Sequence, residues 1–337
     1  MVYRAGVIGC TVGQGHGRAY NETEEVTLAA IADIDPDQLS SAGENLGVPA
    51  SQQYQDYTEM LESEDLDIVS VATPTYLHHD PTIDAVEIGD PEVVWCEKPI
   101  AGSVAEAENM VETCAAADVH LVVNHLRRWA PPYERLREAI TEEDLFGEIQ
   151  TVHLQFKHEL LRNGTHFVDT LYWLTGERVT QVGGVLGEES PAMDSSEFHD
   201  RGGGGYMMLE DGTFVTLDCI IPRSSFTGWL MITGAGGRLY FNEFDEESRY
   251  WRIEDGEHTE ESLGLFSDDW ERWTTAWENA AADIVALADG ETGNTSPGTE
   301  AQHVQEILTG IFVSNHTGSA VNLPLAEPLR TSVIRSR

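Results

Sequence analysis

The residues best equipped for chemistry stand at the ends of short apolar runs. Gly9 and Gly13, with Thr11 and Val12 between them, follow the first run and precede a helical stretch that begins near Gln14. In that setting a glycine-rich turn offers backbone N–H groups and a helix N-terminus to a pyrophosphate. The spacing departs from G-x-G-x-x-G: Thr11 holds the place of the second glycine, and Gly9 to Gly13 is one residue short. Asp33, at the end of the second run and twenty residues after Gly13, supplies a carboxylate that can accept hydrogen bonds from both ribose hydroxyls. A 2′-phosphate there would meet Asp33, Asp35 and Asp37 with no arginine nearby, so the expected cofactor is NAD rather than NADP. Two further runs end in Thr73-Pro74 and Glu97-Lys98-Pro99. Ligands of open α/β sheets lie beyond the carboxyl ends of the strands, so both loops are expected to face the nicotinamide. As a surface ion pair, Glu97 and Lys98 would contribute under about 1 kcal/mol. Against that reading, the chain has 17 arginines and only two lysines, Lys98 and Lys157, and a lysine retained at this junction argues for function.

Positioning these groups calls for a doubly wound sheet. The runs 6–9, 26–32, 66–72, 93–96 and 119–123 have strand lengths and β-branched content, bounded by Gly, Pro or Asp. Helical stretches alternate with them. Asp35-Pro36 reads as cap and first turn of a helix with Leu39, Ala42 and Leu46 on one face, stopped by Gly47. Ser103 and Glu106 have capping-box spacing and open a helix to about Ala117. Strand–helix alternation predicts parallel strands with right-handed crossovers, apolar on both faces. The pattern changes after residue 124. A helix is expected over 131–140, then a half-exposed strand with Val152, Leu154 and Phe156 inward, and further strands at 206–209, 213–221, 229–233, 238–241 and 249–253. The expectation is therefore an α/β chain: a Rossmann domain over 1–124, and an α+β domain with a predominantly antiparallel open sheet over 125–337. Two long helices close the second domain. Trp270, Trp273, Trp277, Ile284 and Leu287 form one stripe and Val304, Leu308, Ile311 and Phe312 another, both read as core. Polar, Gly-rich 187–204 reads as a mobile surface segment.

Composition narrows the partners. With 59 acidic against 19 basic side chains, the formal net charge is −40, which repels nucleic acid and anionic membranes alike. Acid enrichment with lysine almost absent suits molar salt, where the Debye length falls to about 3 Å, and implies a salt-loving host. No apolar run reaches the roughly 18 residues of a membrane span, and the N-terminus lacks a basic segment followed by an apolar one, so a cytoplasmic protein acting on small molecules is expected. Cys10, Cys96, Cys114 and Cys219 are too scattered for a disulfide frame or zinc site and read as buried thiols. The pairs His78/His79 and His153/His158 lack zinc spacing and company, so no metal is expected.

Several motifs occur in one order. Ala72-Thr73-Pro74 is followed by His78, then Cys96-Glu97-Lys98-Pro99, then Asn124 with Arg127-Arg128-Trp129 and Pro131, then Gly164-Thr165-His166 with Asp169. In these the chain, from about residue 3 to 325, resembles the Gfo/Idh/MocA family of NAD(P)-dependent oxidoreductases, which act mostly on sugars, sugar nucleotides and cyclitols. The resemblance implies a second domain whose open sheet makes homo-oligomer contacts, as dimer or tetramer, a cis peptide at Lys98–Pro99 and a site between the domains. It implies that Lys98 hydrogen-bonds the reacting hydroxyl and His166 accepts its proton. The chemistry is coherent, since hydride loss from a secondary alcohol gives a carbonyl only if the hydroxyl proton also leaves. It further implies cofactor contacts from Gly9, Thr11, Val12, Gly13, Asp33, Thr73, Pro74, His78 and Glu97, and substrate contacts from Arg127, Arg162, Asn163 and Asp169. The sequence departs from the family where many members carry Asp four residues before the histidine: Arg162 stands there, beside Asn163. The stretch from Gly147 to His166 is also shorter than usual. Arg162 with Arg127 would suit an anionic group such as a carboxylate or diphosphate. Two alternatives share these residues: an NAD-recycling lyase or glycosidase, and a dinucleotide-binding sensor without turnover.

Overall fold

Six short parallel strands order the N-terminal part of the chain. The computed structural model describes residues 2–187, 197–221, 227–266, 273–291 and 293–335. Strands β1 (Tyr3–Ile8), β2 (Val26–Ala32), β3 (Gln53–Tyr54), β4 (Ile68–Val71), β5 (Val93–Cys96) and β6 (His120–Val123) alternate with helices α1 (Gln14–Asn21), α2 (Pro36–Leu46), α3 (Tyr57–Ser63), α4 (His79–Asp84) and α5 (Val104–Ala116). The sheet order is β3-β2-β1-β4-β5-β6, with all neighbours parallel. Chain order therefore reverses between β1 and β4, which opens a crevice beyond their carboxyl ends. Local signals act as expected. Asp35 accepts from the N–H groups of Asp37 and Gln38 to start α2, and Gly47 ends it in the left-handed region; Ser103 and Glu106 form a complete capping box on α5. β3, α3 and α4 carry too short a pattern to be read in advance.

The second part contains α6 (Pro131–Thr141), β7 (Ile149–Lys157), α7 (Leu160–Thr175), β8 (Val179–Leu186), β9 (Glu197–His199), β10 (Gly203–Leu209), β11 (Phe214–Ile221), β12 (Gly228–Gly234), β13 (Gly237–Asn242), β14 (Glu247–Glu254) and β15 (Glu257–Glu261). It continues with α8 (Thr274–Ala288), α9 (Gly298–Thr317), β16 (Val321–Asn322), α10 (Glu327–Arg330) and β17 (Val333–Arg335). Nine strands run β15-β14-β13-β12-β7-β11-β10-β8-β16, antiparallel except for the β7–β11 pair. Val152, Leu154 and Phe156 of β7 are buried, while Thr151, His153, Gln155 and Lys157 face outward, half-buried. Phe156 stacks on Phe167 of α7 at 4.9 Å, and Val304, Leu308, Ile311 and Phe312 of α9 are buried as expected.

The domain boundary differs from the expectation. Two units form, Met1–Trp129 with Arg272–Gln302, and Ala130–Glu271 with His303–Arg337. The first break lies at 129/130 rather than 124/125, and α8 returns to the first unit. The reason is burial. One face of the parallel sheet, with Ala5, Val7, Ile31, Ile68, Val93 and Trp95, packs against α1, α2 and Ala280, Ala281, Ile284 and Leu287 of α8. The other face, with Ala30, Val69, Val94 and Cys96, packs against α3 and α5. The tryptophan stripe is correspondingly shorter. Trp277 is partly buried and packs against the core, its ring centroid 5.6 Å from that of Trp95; Trp273 precedes α8 with φ of +70°, and Trp270 lies outside the described residues. Of the segment expected to be mobile, 188–196 lies outside the described residues, and the remainder is built into the fold: it supplies β9, the first residues of β10 and a buried Asp200. All four cysteines are free and buried. Among the described residues no helix is long and apolar enough to cross a membrane, and no cluster of three or more His, Cys, Asp or Glu could hold a metal.

Candidate active site

The turn from β1 into α1 is built for backbone contact. Gly9 has φ of +95°, and a Cβ there would stand 2.6 Å from the carbonyl oxygen of Ala72, so only glycine lets the ends of β1 and β4 close together. A Cβ on Gly13 would collide with the Gly9 carbonyl oxygen. Gly13 starts α1 with no side-chain cap, and although Gly15 N donates to the Val12 carbonyl at 2.9 Å, the positive end of the helix dipole is offered to an anion. Asp33 accepts from Cys10 N at 2.7 Å through one oxygen and from Asp35 N at 2.9 Å through the other. Each oxygen keeps a further lone pair for a ribose hydroxyl. Exposed Val12 and Ile34, with Tyr76 and Leu77 after β4, form apolar surface at this edge of the sheet. Ile34 was not singled out from the sequence; its only signal was a large apolar residue directly after the acidic one. The glycine turn, an uncapped helix start and Asp33, with Asp35 and Asp37 repelling a further phosphate, fit NAD.

Glu97 and Lys98 are no surface ion pair. Glu97 is buried at the carboxyl end of β5. Its Oε1 accepts from Asn124 Nδ2 at 2.7 Å and lies 3.3 Å from His16 Nε2, and its Oε2 accepts from Lys98 N at 3.1 Å. Burial pushes its pKa up, but His16, the Lys98 ammonium and Asn124 outweigh that and bring it to about 2. Glu97, expected among the cofactor contacts, thus spends its oxygens on the protein. Lys98 is half-buried, and the Lys98–Pro99 peptide is cis. His78 also needs correction as a cofactor contact. Only 1% of its surface is exposed. Its Nε2 is 2.7 Å from the Thr73 carbonyl and its Nδ1 2.9 Å from that of Pro99, so it ties the loop after β4 to the loop after β5. Burial lowers its pKa. Thr73 Oγ1 donates to the Leu77 carbonyl at 3.0 Å, while Pro74 is exposed at the same edge. Arg127 is buried in the turn Leu126–Trp129, and neighbouring Arg128 binds Thr295 O and Glu300.

In the second unit the remaining residues share α7. Arg162 is exposed, Asn163 and His166 are half-buried, and Asp169 is completely buried. Asp169 stands one turn behind His166 and has no exposed surface to offer a substrate, so its expected substrate contact is withdrawn. Asn163 Nδ2 donates to the His158 carbonyl, which ties the start of α7 to the end of β7. That start has a cap no local motif announced. Asp200 accepts from Leu160 N and Leu161 N at 2.7 Å each and from Gly202 N at 3.2 Å. Burial raises its pKa against the pull of those amides. The structure thus gathers Gly9, Gly13, Asp33, Thr73 and Lys98 at one sheet edge, and Arg162, Asn163 and His166 on the first turns of one helix.

Residues 3–125 match the family described as "Oxidoreductase family, NAD-binding Rossmann fold", Gfo/Idh/MocA. Over 194 residues the chain is 30% identical to the rhizopine catabolism protein MocA of Rhizobium meliloti, covering 53% of this chain and 59% of that relative. It is also 30% identical, over 246 residues, to an inositol 2-dehydrogenase of Pseudarthrobacter chlorophenolicus, covering 69% of this chain and 70% of the relative. Among solved structures, the WlbA dehydrogenase from Bordetella pertussis, crystallised with NADH and UDP-GlcNAcA, superposes with a TM-score of 0.80 at 21% identity, covering 97% of this chain and all of that one.

Proposed function

The chain belongs to the Gfo/Idh/MocA family of NAD-binding oxidoreductases, and on that premise we propose that it oxidises a secondary alcohol of a sugar, sugar derivative or cyclitol. Bound NAD supplies the hydride acceptor; Gly9, Thr11, Val12, Gly13, Asp33, Thr73 and Pro74 are the residues that would hold it. The proton belongs to the protein. The Lys98 ammonium donates to the substrate oxygen and stabilises the charge that develops as the C–H bond breaks. His166, with a half-buried imidazole on α7, takes the hydroxyl proton. Asn163 and Asp200 hold that helix start in place.

The observation that carries this reading is the setting of Lys98. One of two lysines in the chain stands half-buried beside an ionised, buried Glu97, at the sheet edge that also bears Gly9 and Asp33. Exposed Arg162 and buried Arg127 favour a substrate with an anionic group, read by bidentate pairing. Asp200 already occupies the amides that begin α7, so that group would be met by arginine side chains and not by the helix start. The outward face of the nine-stranded sheet, with His153, Gln155, Trp229 and Met231 half-buried, supports a homo-oligomer through that face. The acidic, lysine-poor composition supports a host that keeps molar salt inside its cells.

The test is NADH absorbance in molar KCl across cyclitols, neutral sugars, uronates and nucleotide sugars, with NAD and NADP compared. NAD-dependent turnover of an acidic sugar derivative is the expected result. Turnover of no alcohol, with dinucleotide bound, would leave a non-catalytic binder.

A further inference from the structure

A polar chain inside the first unit has no part in the proton transfer just described. Tyr20 Oη lies 2.6 Å from Ser70 Oγ, Ser70 Oγ lies 3.0 Å from His16 Nδ1, and His16 Nε2 lies 3.3 Å from Glu97 Oε1. Tyr20, Ser70 and His16 are fully buried, and they come from α1 and β4. The His16 ring is boxed by Trp95 at 4.1 Å and Trp277 at 5.2 Å between centroids. Apolar side chains of similar volume would fill that space without the cost of desolvating four polar groups. A satisfied buried network does, however, fix its end group in one place. That end group is Glu97, the residue directly before Lys98.

We propose that Glu97, anchored through His16, Ser70 and Tyr20, is a positioning residue for Lys98: it fixes a negative charge beside the lysine and keeps its ammonium cationic. This rests on the reading of Lys98 as the residue that touches the substrate oxygen. The groups around Glu97 agree with this role. Asn124 from the end of β6 and the Lys98 amide supply hydrogen bonds. The Lys98 ammonium supplies charge, His16 Nε2 lies 3.3 Å away, and His78 feels the Glu97 charge from the neighbouring loop. Alcohol oxidation requires a protonated lysine and an unprotonated imidazole together, so holding the lysine charged to higher pH widens the working range.

Because the chain has only two lysines, the lysine can be watched directly. Reductive methylation of the full chain with ¹³C-formaldehyde gives two dimethyl-lysine NMR signals, and Lys157→Arg identifies that of Lys98. Glu97→Gln is expected to lower the Lys98 titration midpoint by about one unit or more and leave Lys157 unmoved. An unmoved Lys98 midpoint overturns the proposal. Should no Glu97 variant fold, the unaltered protein still decides: the proposal requires Lys98 to titrate no lower than Lys157 despite its burial, and a midpoint well below that of Lys157 overturns it. Neither measurement needs a substrate. Failure to find an oxidised alcohol would therefore strike the proposed activity and leave this inference standing or falling on its own titration.

Discussion

A hydroxyl proton has to leave as the hydride goes, and that demand sets what single substitutions should do. His166→Asn is expected to lower kcat/KM by roughly 10²–10⁴-fold, with NAD affinity unchanged in a fluorescence titration. Loss of NAD binding in the same variant would place His166 among the folding residues instead. Glu97 makes a second prediction through stability. Its pKa falls from 4.5 to about 2 on folding. The ionised form is thus favoured in the fold, and its contribution is present above about pH 4.5 and lost as pH falls toward 2. Urea denaturation should show Glu97→Gln less stable than the parent by on the order of 3 kcal/mol above pH 5, with the gap closing in acid. A gap independent of pH would mean that packing, not charge, is lost. Lys98 could be picked out in advance because lysine is so rare here. His16 could not, since nothing in its neighbours along the chain says that it reaches Glu97, which lies 81 positions away.

At the level of elements, the start of α7 decides where His166 points. Local caps such as Ser103 with Glu106 on α5 lie within one turn of the amides they serve, and spacing reveals them. Asp200 serves Leu160 from 40 positions away, inside a stretch whose composition reads as a loose surface segment. Asp200→Ala leaves several buried amides without an acceptor. It is expected to destabilise the protein by about 1–3 kcal/mol in chemical denaturation and to lower kcat more than it raises KM for the cofactor. Unchanged stability would show that other groups take over the cap. The same distance effect moved α8. Its small apolar face was visible in the chain, but which sheet it covers depended on an uncovered face of β1 and β5 more than 170 residues earlier.

On the scale of the whole molecule, charge dominates. A net charge of −40 in low salt repels itself across the surface, and raising KCl from 0.1 M to molar levels shortens the Debye length from about 10 Å to about 3 Å. The melting temperature should therefore rise over that range by several degrees, read by calorimetry, and a flat response would sink the salt-adapted reading. The sequence by itself determined what depends on neighbours along the chain and on composition. The parallel strands with their capped helices, the glycine turn followed by Asp33, the alternating strand of Val152, Leu154 and Phe156, the buried thiols and the acidic surface all follow from local periodicity or from counts. Tertiary structure alone decided the rest: that Glu97 is buried and ionised, that His78 joins two loops, that Asp169 has no exposed surface, that Asp200 caps α7 and that α8 completes the first unit. Each of these turns on desolvation and hydrogen-bond partners brought together from distant positions, and no local spacing encodes them.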